Sequence, residues 1–319
     1  MSLTLGLLGT SASRPTVERN VASVVLVREG ETIMFDCGEG TQRQMMRYGV
    51  SFALRDIYFT HLHADHVIGV IGLLRTMALQ GRTEPMRLLG PPGGGKQLKR
   101  AKEFGVDRIT FPVEIIEVEP MQPVVYTGFS IIPFPVDHGP AHSMGFALVE
   151  PERKGRFNPD RARELGVPEG PLWGQIHRGQ AIALPDGRVI EPSELVGEAR
   201  SGRRVVITGD TRPCDATVEM SRDADLLLHE ATFADEEAER AKETGHSTAR
   251  EAADIAARAG VRKLVLTHLS ARYSHDPSDL AREAKEVFAN VVVGRDGMEI
   301  DVPYRDATGA DNRSVASDV

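Results

Sequence analysis

The chain has 319 residues, 41% of them hydrophobic and 26% charged, with a formal net charge of −8. Its size suits one large domain or two ordinary ones, no apolar run approaches the ~20 residues of a membrane span, and net acidity argues against a nonspecific nucleic-acid coat while leaving room for a local basic patch. Two widely separated cysteines, Cys37 and Cys214, fit a reducing compartment better than a disulfide scaffold, and "MSLTLGLLGTSAS" lacks the basic and long apolar regions of a secretory signal, so a cytoplasmic protein without membrane association is expected.

Residues 1–60 read as strands and turns. "LTLGLLGT" and "SVVLV" are apolar runs, "REGET" is a polar turn, "IMFDCGEG" is a strand ending in a glycine turn, and "RDIYFT" is a further β-rich run. "FTHLHADHVIG", residues 59–69, then places His61, His63, Asp65 and His66 within six consecutive positions. Residues 67–80 have helix length and a strong apolar face. "MRLLG" predicts a strand, and "PPGGGKQLKRAKEF" a turn opening a basic helix. "GPPGGGKQ" nearly spells a phosphate-binding loop, but Gln97 stands where a Ser or Thr must ligate magnesium, and two prolines remove amide donors. It reads as a strand-to-helix turn. "IIEVEP", "PVVYT" and "FSIIPFPVDH" predict strands.

From about residue 151 to 195 the character changes. Gly and Pro are dense, apolar runs are short and periodicity is weak, as in an inserted arm outside the core. The arm opens on Arg153, Lys154, Arg156, Arg161 and Arg163 and carries the only tryptophan, Trp173, within "GVPEGPLWGQ". The core resumes with "RRVVITGD", "DADLLLHE", a helix over about 248–259 and "VRKLVLTHLS". Thr248 and Glu251 form a capping-box pattern, and Gly260 stands where a C-terminal cap belongs. Residues 305–319 lack an apolar pattern and read as a disordered tail. There is no internal repeat.

The chemistry-bearing residues share a location. "IYFT" precedes His61, "IIPFPVD" precedes His138, "VVITG" precedes Asp210 and "LVLT" precedes His268. Residues at strand ends lie on one rim of a sheet, where a rigid scaffold presents them to a common cleft. A lone histidine is more often structural or at the surface than a ligand, and His177 and His275 are assigned to that class. Three histidines and an aspartate in one short loop have little packing purpose, so that loop reads as a metal site. His142 rivals His138, four residues further along the same loop. Imidazole and carboxylate suit zinc, with manganese or iron as competitors. Six or seven such groups exceed what one four-coordinate ion needs, and the surplus points to two ions bridged by a carboxylate, a pair able to activate water and clamp a phosphodiester.

"HLHADH" resembles the HxHxDH signature of the metallo-β-lactamase fold. The similarity extends to the short form of the tRNase Z family of tRNA 3′-processing endonucleases. It is carried by "LLGTSASRPTVERNVAS", "FDCGEGTQRQMMRYG", "GRTEPMRLLGPPG", "PEGPLWGQIHRG", "TGDTRPC", "LLHEATFADEEAERAKETGHSTAREAA" and "LVLTHLSARY", over roughly residues 1–303. The resemblance implies an α/β fold, an αββα sandwich with an inserted flexible arm, in a catalytic domain over 1–304. It also implies a homodimer acting on precursor tRNA rather than DNA, with two Zn2+ per subunit and Mn2+ as a substitute. Carried over residue by residue, His61, His63 and His138 hold one zinc, Asp65, His66 and His268 hold the second, and Asp210 bridges them. Asp65 is also the implied general base, and His246 of "GHST" and His229 of "HEAT" are candidates to protonate the leaving ribose oxygen or to support the ligands. Arg153, Lys154, Arg156 and Trp173 fall in the arm, the family's exosite for the tRNA body. The implied products are a tRNA 3′-hydroxyl and a 5′-phosphorylated trailer. This chain departs from the family at Lys154, where proline is frequent, in a His138–Gly145 loop about one residue longer, and in the tail after 303. A second reading keeps the fold and changes the substrate to a small ester, thioester or phosphodiester, which does not need the arm.

Overall fold

The computed structural model describes residues 2–106, 108–139 and 142–305. Two seven-stranded sheets dominate it. The first comprises β1 (Leu3–Gly9), β2 (Ser23–Arg28), β3 (Glu31–Phe35), β4 (Leu54–Tyr58), β5 (Met86–Gly90) and β6 (Val113–Glu117), with β16 (Glu299–Asp301) beside β1. The second runs, from one edge to the other, β15 (Val291–Val293), β14 (Leu264–Thr267), β13 (Leu226–Glu230), β12 (Arg204–Ile207), β9 (Met144–Val149), β8 (Phe129–Pro135) and β7 (Val124–Tyr126).

Side-chain alternation along each strand decides the layers. In β13, Leu226 and Leu228 enter an inter-sheet core that also holds Leu5, Leu7, Phe35, Tyr58, Phe146 and Val265. Leu227 faces the opposite way, into a second core with Ala252, Ala253, Ile255 and Ala256 of the helix Ala249–Ala259. On the outer face of the first sheet, Met34, Ile57 and Leu88 pack against Val70, Leu73, Leu74 and Met77 of the helix Gly69–Leu79. The order of layers is therefore helix, sheet, sheet, helix: an αββα sandwich.

Local signals set the ends of these elements. Thr248 accepts from the Glu251 amide while Glu251 reaches back to the Thr248 amide, and Gly260 ends the helix in the left-handed region at φ 66°. Alanines on the buried side bring this helix close to the second sheet. The segment 67–80 forms the helix Gly69–Leu79 preceded by a single turn, Ala64–Val67. The near-P-loop is a strand-to-helix turn, and its amides are already taken: Gly93 and Gly95 N–H donate to the Glu117 carboxylate at 2.8 Å each.

Residues Glu150–Gly202, between β9 and β12 in the chain, form a separate compact unit. It contains a hairpin of β10 (Ile182–Ala183) and β11 (Val189–Ile190) and the short helices Pro159–Glu164, Pro171–His177 and Pro192–Leu195. It has a core of its own, including Ala162, Val167, Ile176, Ile182, Ile190 and Leu195. The expected tail lies, from residue 306 on, outside the described residues.

Candidate metal centre

Four strands deliver the polar cluster from their C-terminal ends. After β4, Thr60 N–H donates to Asp36 Oδ1 at 2.8 Å, which turns the chain into the histidine loop. After β12 the chain crosses close to that loop at Gly209, φ 64°, where a Cβ would lie 2.6 Å from Thr60 Cβ; only glycine brings Asp210 in there. β14 hands on to His268, a non-glycine residue at φ 56°, a conformation that persists where surrounding contacts over-determine it. β8 leads to His138.

The ligand-type atoms of His61, His63, His138 and Asp210 lie within 4.8 Å of one another, as do those of Asp65, His66 and His268, and those of Asp210, His246 and His268. Between the two residues left open on the loop after β8, the fold selects His138. His142 is exposed and joins none of these groups among the described residues. Asp210 is central: its Oδ2 is 3.6 Å from His61 Nε2, 3.4 Å from His66 Nε2 and 3.9 Å from His138 Nε2, and its Oδ1 is 3.3 Å from His268 Nε2.

The outward-facing nitrogens fix the inward-facing ones. His66 Nδ1 donates to Asp36 Oδ2 and His138 Nδ1 donates to the Gly245 carbonyl, both at 2.8 Å. Thr60 Oγ1 gives its proton to Asp36 Oδ2, so it accepts from His61 Nδ1 at 3.0 Å. Thr232 Oγ1 gives its proton to Glu230 Oε2 and likewise accepts from His268 Nδ1 at 3.0 Å. When neutral, each of these four rings presents an Nε2 lone pair inward, the orientation that supporting hydrogen bonds give to metal-binding imidazoles. Inside the cluster, His61 Nε2 and His63 Nδ1 are 2.9 Å apart and His66 Nε2 and His268 Nε2 are 3.3 Å apart. The buried Asp210 Oδ1 accepts no hydrogen bond. Facing lone pairs and an unsatisfied buried carboxylate oxygen are costly unless a cation lies among them. The donor set, imidazole and carboxylate, fits a divalent metal.

The electrostatics agree. Burial, together with the neighbouring His66, drives the His61 imidazole well below its ordinary value. Burial would also lower His66, but the Asp210 and Asp36 carboxylates carry it well above. Burial would raise Asp65, but the His268 and His66 imidazoles beside it hold it far below the carboxylate range. The cluster is thus a sink for positive charge. Asp65 Oδ2 also accepts the Ser13 amide at 2.7 Å.

His246 sits at the edge of the cluster, with Nδ1 4.0 Å from Asp210 Oδ2. Its partner is Glu230, which reading from the sequence passes over: His246 Nδ1 donates to Glu230 Oε1 at 2.9 Å. Burial would lower the His246 imidazole, but the Glu230 charge and this hydrogen bond raise it to about 9. Glu230 ends β13 on the same rim as the other ligands, so the strand-end rule that selects Asp210 also selects it. The neighbouring His229 is placed differently. Alternation turns it away from Glu230, and it is fully buried with Nδ1 against the Glu230 carbonyl at 2.7 Å and Nε2 without a hydrogen-bond partner. It enters none of the metal-ligand groups among the described residues.

In the separate unit, Lys154 and Arg156 are exposed and Arg153 is half-buried. Trp173 is used by that unit's own core: its Nε1 donates to the Val167 carbonyl at 3.2 Å, its ring lies 5.1 Å from Phe157, and the Arg163 guanidinium covers it at 5.7 Å. The unit is not basic as a whole. Glu150–Gly202 carries eight Lys and Arg against nine Asp and Glu, and Arg161 and Arg163 are paired with Glu164, Asp160 and Glu169.

Comparison with known proteins supplies the family. Residues 3–159 match the family model described as anti-Pycsar protein Apyc1 and residues 195–269 that of the beta-lactamase superfamily domain. Among solved structures, human tRNase Z, short form, superposes with a TM-score of 0.67 at 28% identity, covering 94% of this chain and 99% of that one. Ribonuclease Z of Myxococcus xanthus is 50% identical over 305 residues, 95% of this chain and 99% of that protein. Ribonuclease Z of Gemmatimonas aurantiaca is 64% identical over 303 residues, 95% of this chain and 96% of that protein. With identity at that level over nearly the whole length of both chains, the chain belongs to the ribonuclease Z family.

Proposed function

We propose that the protein is a zinc-dependent endoribonuclease that removes the 3′ trailer from precursor tRNA by hydrolysing one phosphodiester. The observation that carries this reading is the inward-facing His and Asp cluster with the Glu230–His246 pair at its edge, in a chain 64% identical to a ribonuclease Z. His61, His63 and His138 would hold one Zn2+, Asp65, His66 and His268 the other, and Asp210 both. When bound, the two ions supply a water acidic enough to attack at neutral pH and a clamp for the phosphate oxygens. Manganese is the competing occupant for such a donor set.

The chain's own residues do the rest. Asp65, fixed by the Ser13 amide, accepts the proton of the attacking water. His246, its Nδ1 committed to Glu230, offers Nε2 to the leaving ribose 3′-oxygen and delivers the proton that this poor leaving group requires. Glu230 keeps His246 charged until then. The products are a tRNA 3′-hydroxyl and a 5′-phosphorylated trailer. The protein works in the cytoplasm as a homodimer, and the arm, through the stretch Arg153–Arg156, grips the tRNA body away from the cut.

End-labelled precursor tRNA, incubated with the zinc-loaded protein and mapped at both new ends, tests this reading. Cleavage giving a 3′-hydroxyl on the tRNA and a 5′-phosphate on the trailer is expected. Intact precursor under conditions where a small phosphodiester is hydrolysed would replace it with the small-substrate alternative.

A further inference from the structure

One buried cation stands outside the metal-ligand groups. Arg19 lies on the chain between β1 and β2 and is 7% exposed. Its hydrogen bonds bracket His268. Before His268, Arg19 Nη1 donates to the Gly294 carbonyl at 2.6 Å, and Gly294 N–H donates at 2.7 Å to the carbonyl of Leu266. After His268, Arg19 Nε donates to the Ser274 carbonyl at 3.1 Å. Nη1 also donates to Thr10 Oγ1 at 2.8 Å. Thr10 passes the contact on. Its hydroxyl proton goes to Asp296 Oδ1 at 2.7 Å, so one hydroxyl links the buried cation to a carboxylate. Asp296 Oδ2 is held in turn by the Asn20 amide at 2.6 Å and by Gln44 Nε2 at 2.8 Å.

Thr10 opens a segment that braces two of the candidate ligands. Its carbonyl accepts the Leu269 N–H at 2.8 Å, and Ala12 N–H donates to the Leu269 carbonyl at 2.9 Å, so both backbone groups of the residue after His268 are taken. Ser13 N–H donates to Asp65 Oδ2 at 2.7 Å. The segment Thr10–Ser13 therefore reaches His268 through its neighbour and Asp65 directly. It does so against local preference. His268 has φ 56° and Ser13 φ 62°, left-handed conformations that a non-glycine residue keeps only where its surroundings over-determine them. If the segment shifts, both residues relax towards ordinary backbone, and His268 Nε2 and Asp65 Oδ2, 3.5 Å apart, separate. The other ligand group has different supports: Thr60 for His61 and the Gly245 carbonyl for His138.

We infer that Arg19 is a positioning residue for one half of the metal centre. Through Thr10 it holds the segment that sets His268 and Asp65. It thereby sets the affinity of the Asp65, His66 and His268 group for a divalent cation, and leaves the His61, His63 and His138 group as it is. A guanidinium suits this task because its donors are fixed in one plane and serve acceptors on three segments at once; a lysine ammonium, a compact charge on a flexible stem, does not reproduce that fork. The inference rests on the reading that the cluster holds two ions.

The test is a zinc titration of the metal-free protein against a chromophoric chelator, a measurement that involves no turnover. The native protein should take up two ions in two resolvable steps. His63→Ala and His268→Ala are the references, each lacking the step of its own group. Arg19→Lys keeps the charge and loses the fork. Thr10→Val keeps the shape and loses the hydroxyl. Each should weaken the step missing from His268→Ala about 10- to 100-fold, the usual effect of a residue supporting a ligand, with the step missing from His63→Ala as in the native protein. Met86→Ala controls for lost stability alone: Met86 is buried at the start of β5, at the end of the sheet away from the rim. It should lower the urea midpoint and leave both steps unchanged. Equal weakening of both steps, weakening of the His63 step, or native affinities in the variants would overturn the inference, as would the same selective loss in Met86→Ala. If Arg19→Lys does not fold, Thr10→Val decides by itself, because it retains the buried cation. A native protein that binds fewer than two ions brings down the two-ion reading; two ions with no selective loss in the variants brings down only the role of Arg19.

Discussion

Replacing Glu230 by glutamine keeps the shape of the side chain and removes one thing, its ability to accept on both oxygens. Glu230 is fully buried and receives five donors: Thr211 N–H at 2.8 Å and His246 Nδ1 at 2.9 Å on Oε1, with Thr232 N–H at 3.2 Å, Thr232 Oγ1 at 2.6 Å and Ser247 N–H at 3.1 Å on Oε2. A glutamine NH2 must confront one of these sets donor to donor. Leaving buried donors unmatched costs about 1–3 kcal/mol, enough to lower the unfolding midpoint but not to prevent folding of a chain this size. The larger effect is on His246. In the metal-free protein its imidazole stands at about 9, above the ordinary 6.5, because the Glu230 charge and hydrogen bond outweigh burial. Without that charge, burial dominates and His246 becomes a neutral ring that no longer donates at neutral pH. The expected loss in kcat on precursor tRNA is ~10²–10⁴-fold, the usual contribution of a general acid. The sign with pH follows: the acid works while protonated, so activity falls as pH rises through its pKa, and in Glu230→Gln that fall moves to lower pH. The assay is kcat against pH on precursor tRNA, beside bis(p-nitrophenyl) phosphate, whose nitrophenolate leaves without a proton. Equal losses on both substrates, or an unshifted alkaline limb, would refute the role given to this pair.

Other outcomes follow from the same geometry. Asp210→Ala removes the carboxylate lying between both groups of ligands; zinc measured by atomic absorption should fall from about two ions per chain, and kcat by more than ~10²-fold. In the metal-free protein, His246 is raised in the folded state relative to its unfolded value, so the stability it contributes is complete below about pH 6.5 and is lost as pH rises through about 9. Urea midpoints of chelator-treated protein should decline across that window, and those of His246→Ala should decline less, by the His246 share. Deleting residues 155–190 with a short Gly-Ser linker should weaken precursor tRNA binding and flatten its salt dependence, each lost phosphate contact reducing the slope by roughly 0.9, while hydrolysis of bis(p-nitrophenyl) phosphate persists.

The metal cluster was legible because its logic is local. A strand that ends in His or Asp announces a rim residue, and four such endings, at His61, His138, Asp210 and His268, can be read without knowing which strands are neighbours. The same holds for the helix at 249–259, whose capping box and terminal glycine are fixed by positions three residues apart and one residue beyond the end. What failed was whatever depends on the phase of a strand or on partners far away in sequence. In "LLLHE" every residue is buried, so hydropathy carries no phase, and His229 attracts notice as a histidine beside "EAT" although the residue facing the cleft is Glu230. The supports of the inner ring, Asp36 for His66, Thr60 for His61, Thr232 for His268 and the Gly245 carbonyl for His138, belong to other loops and become visible only when the sheets are assembled.

The arm fails for another reason. Its helices have four to seven residues and its strands two, too short for either period to register, so a unit with a packed core reads as an irregular excursion. Counting its first basic residues also misleads, because the acidic partners of Arg161 and Arg163 stand close by on both sides, Asp160 before them and Glu164 and Glu169 after. Charge that is already paired draws little from a phosphate backbone, since each new contact must first give up an old one. For Arg161 and Arg163 the gain from a phosphate contact is therefore offset by the carboxylate contact it displaces, and a count of basic residues along the arm overstates the charge it has to offer.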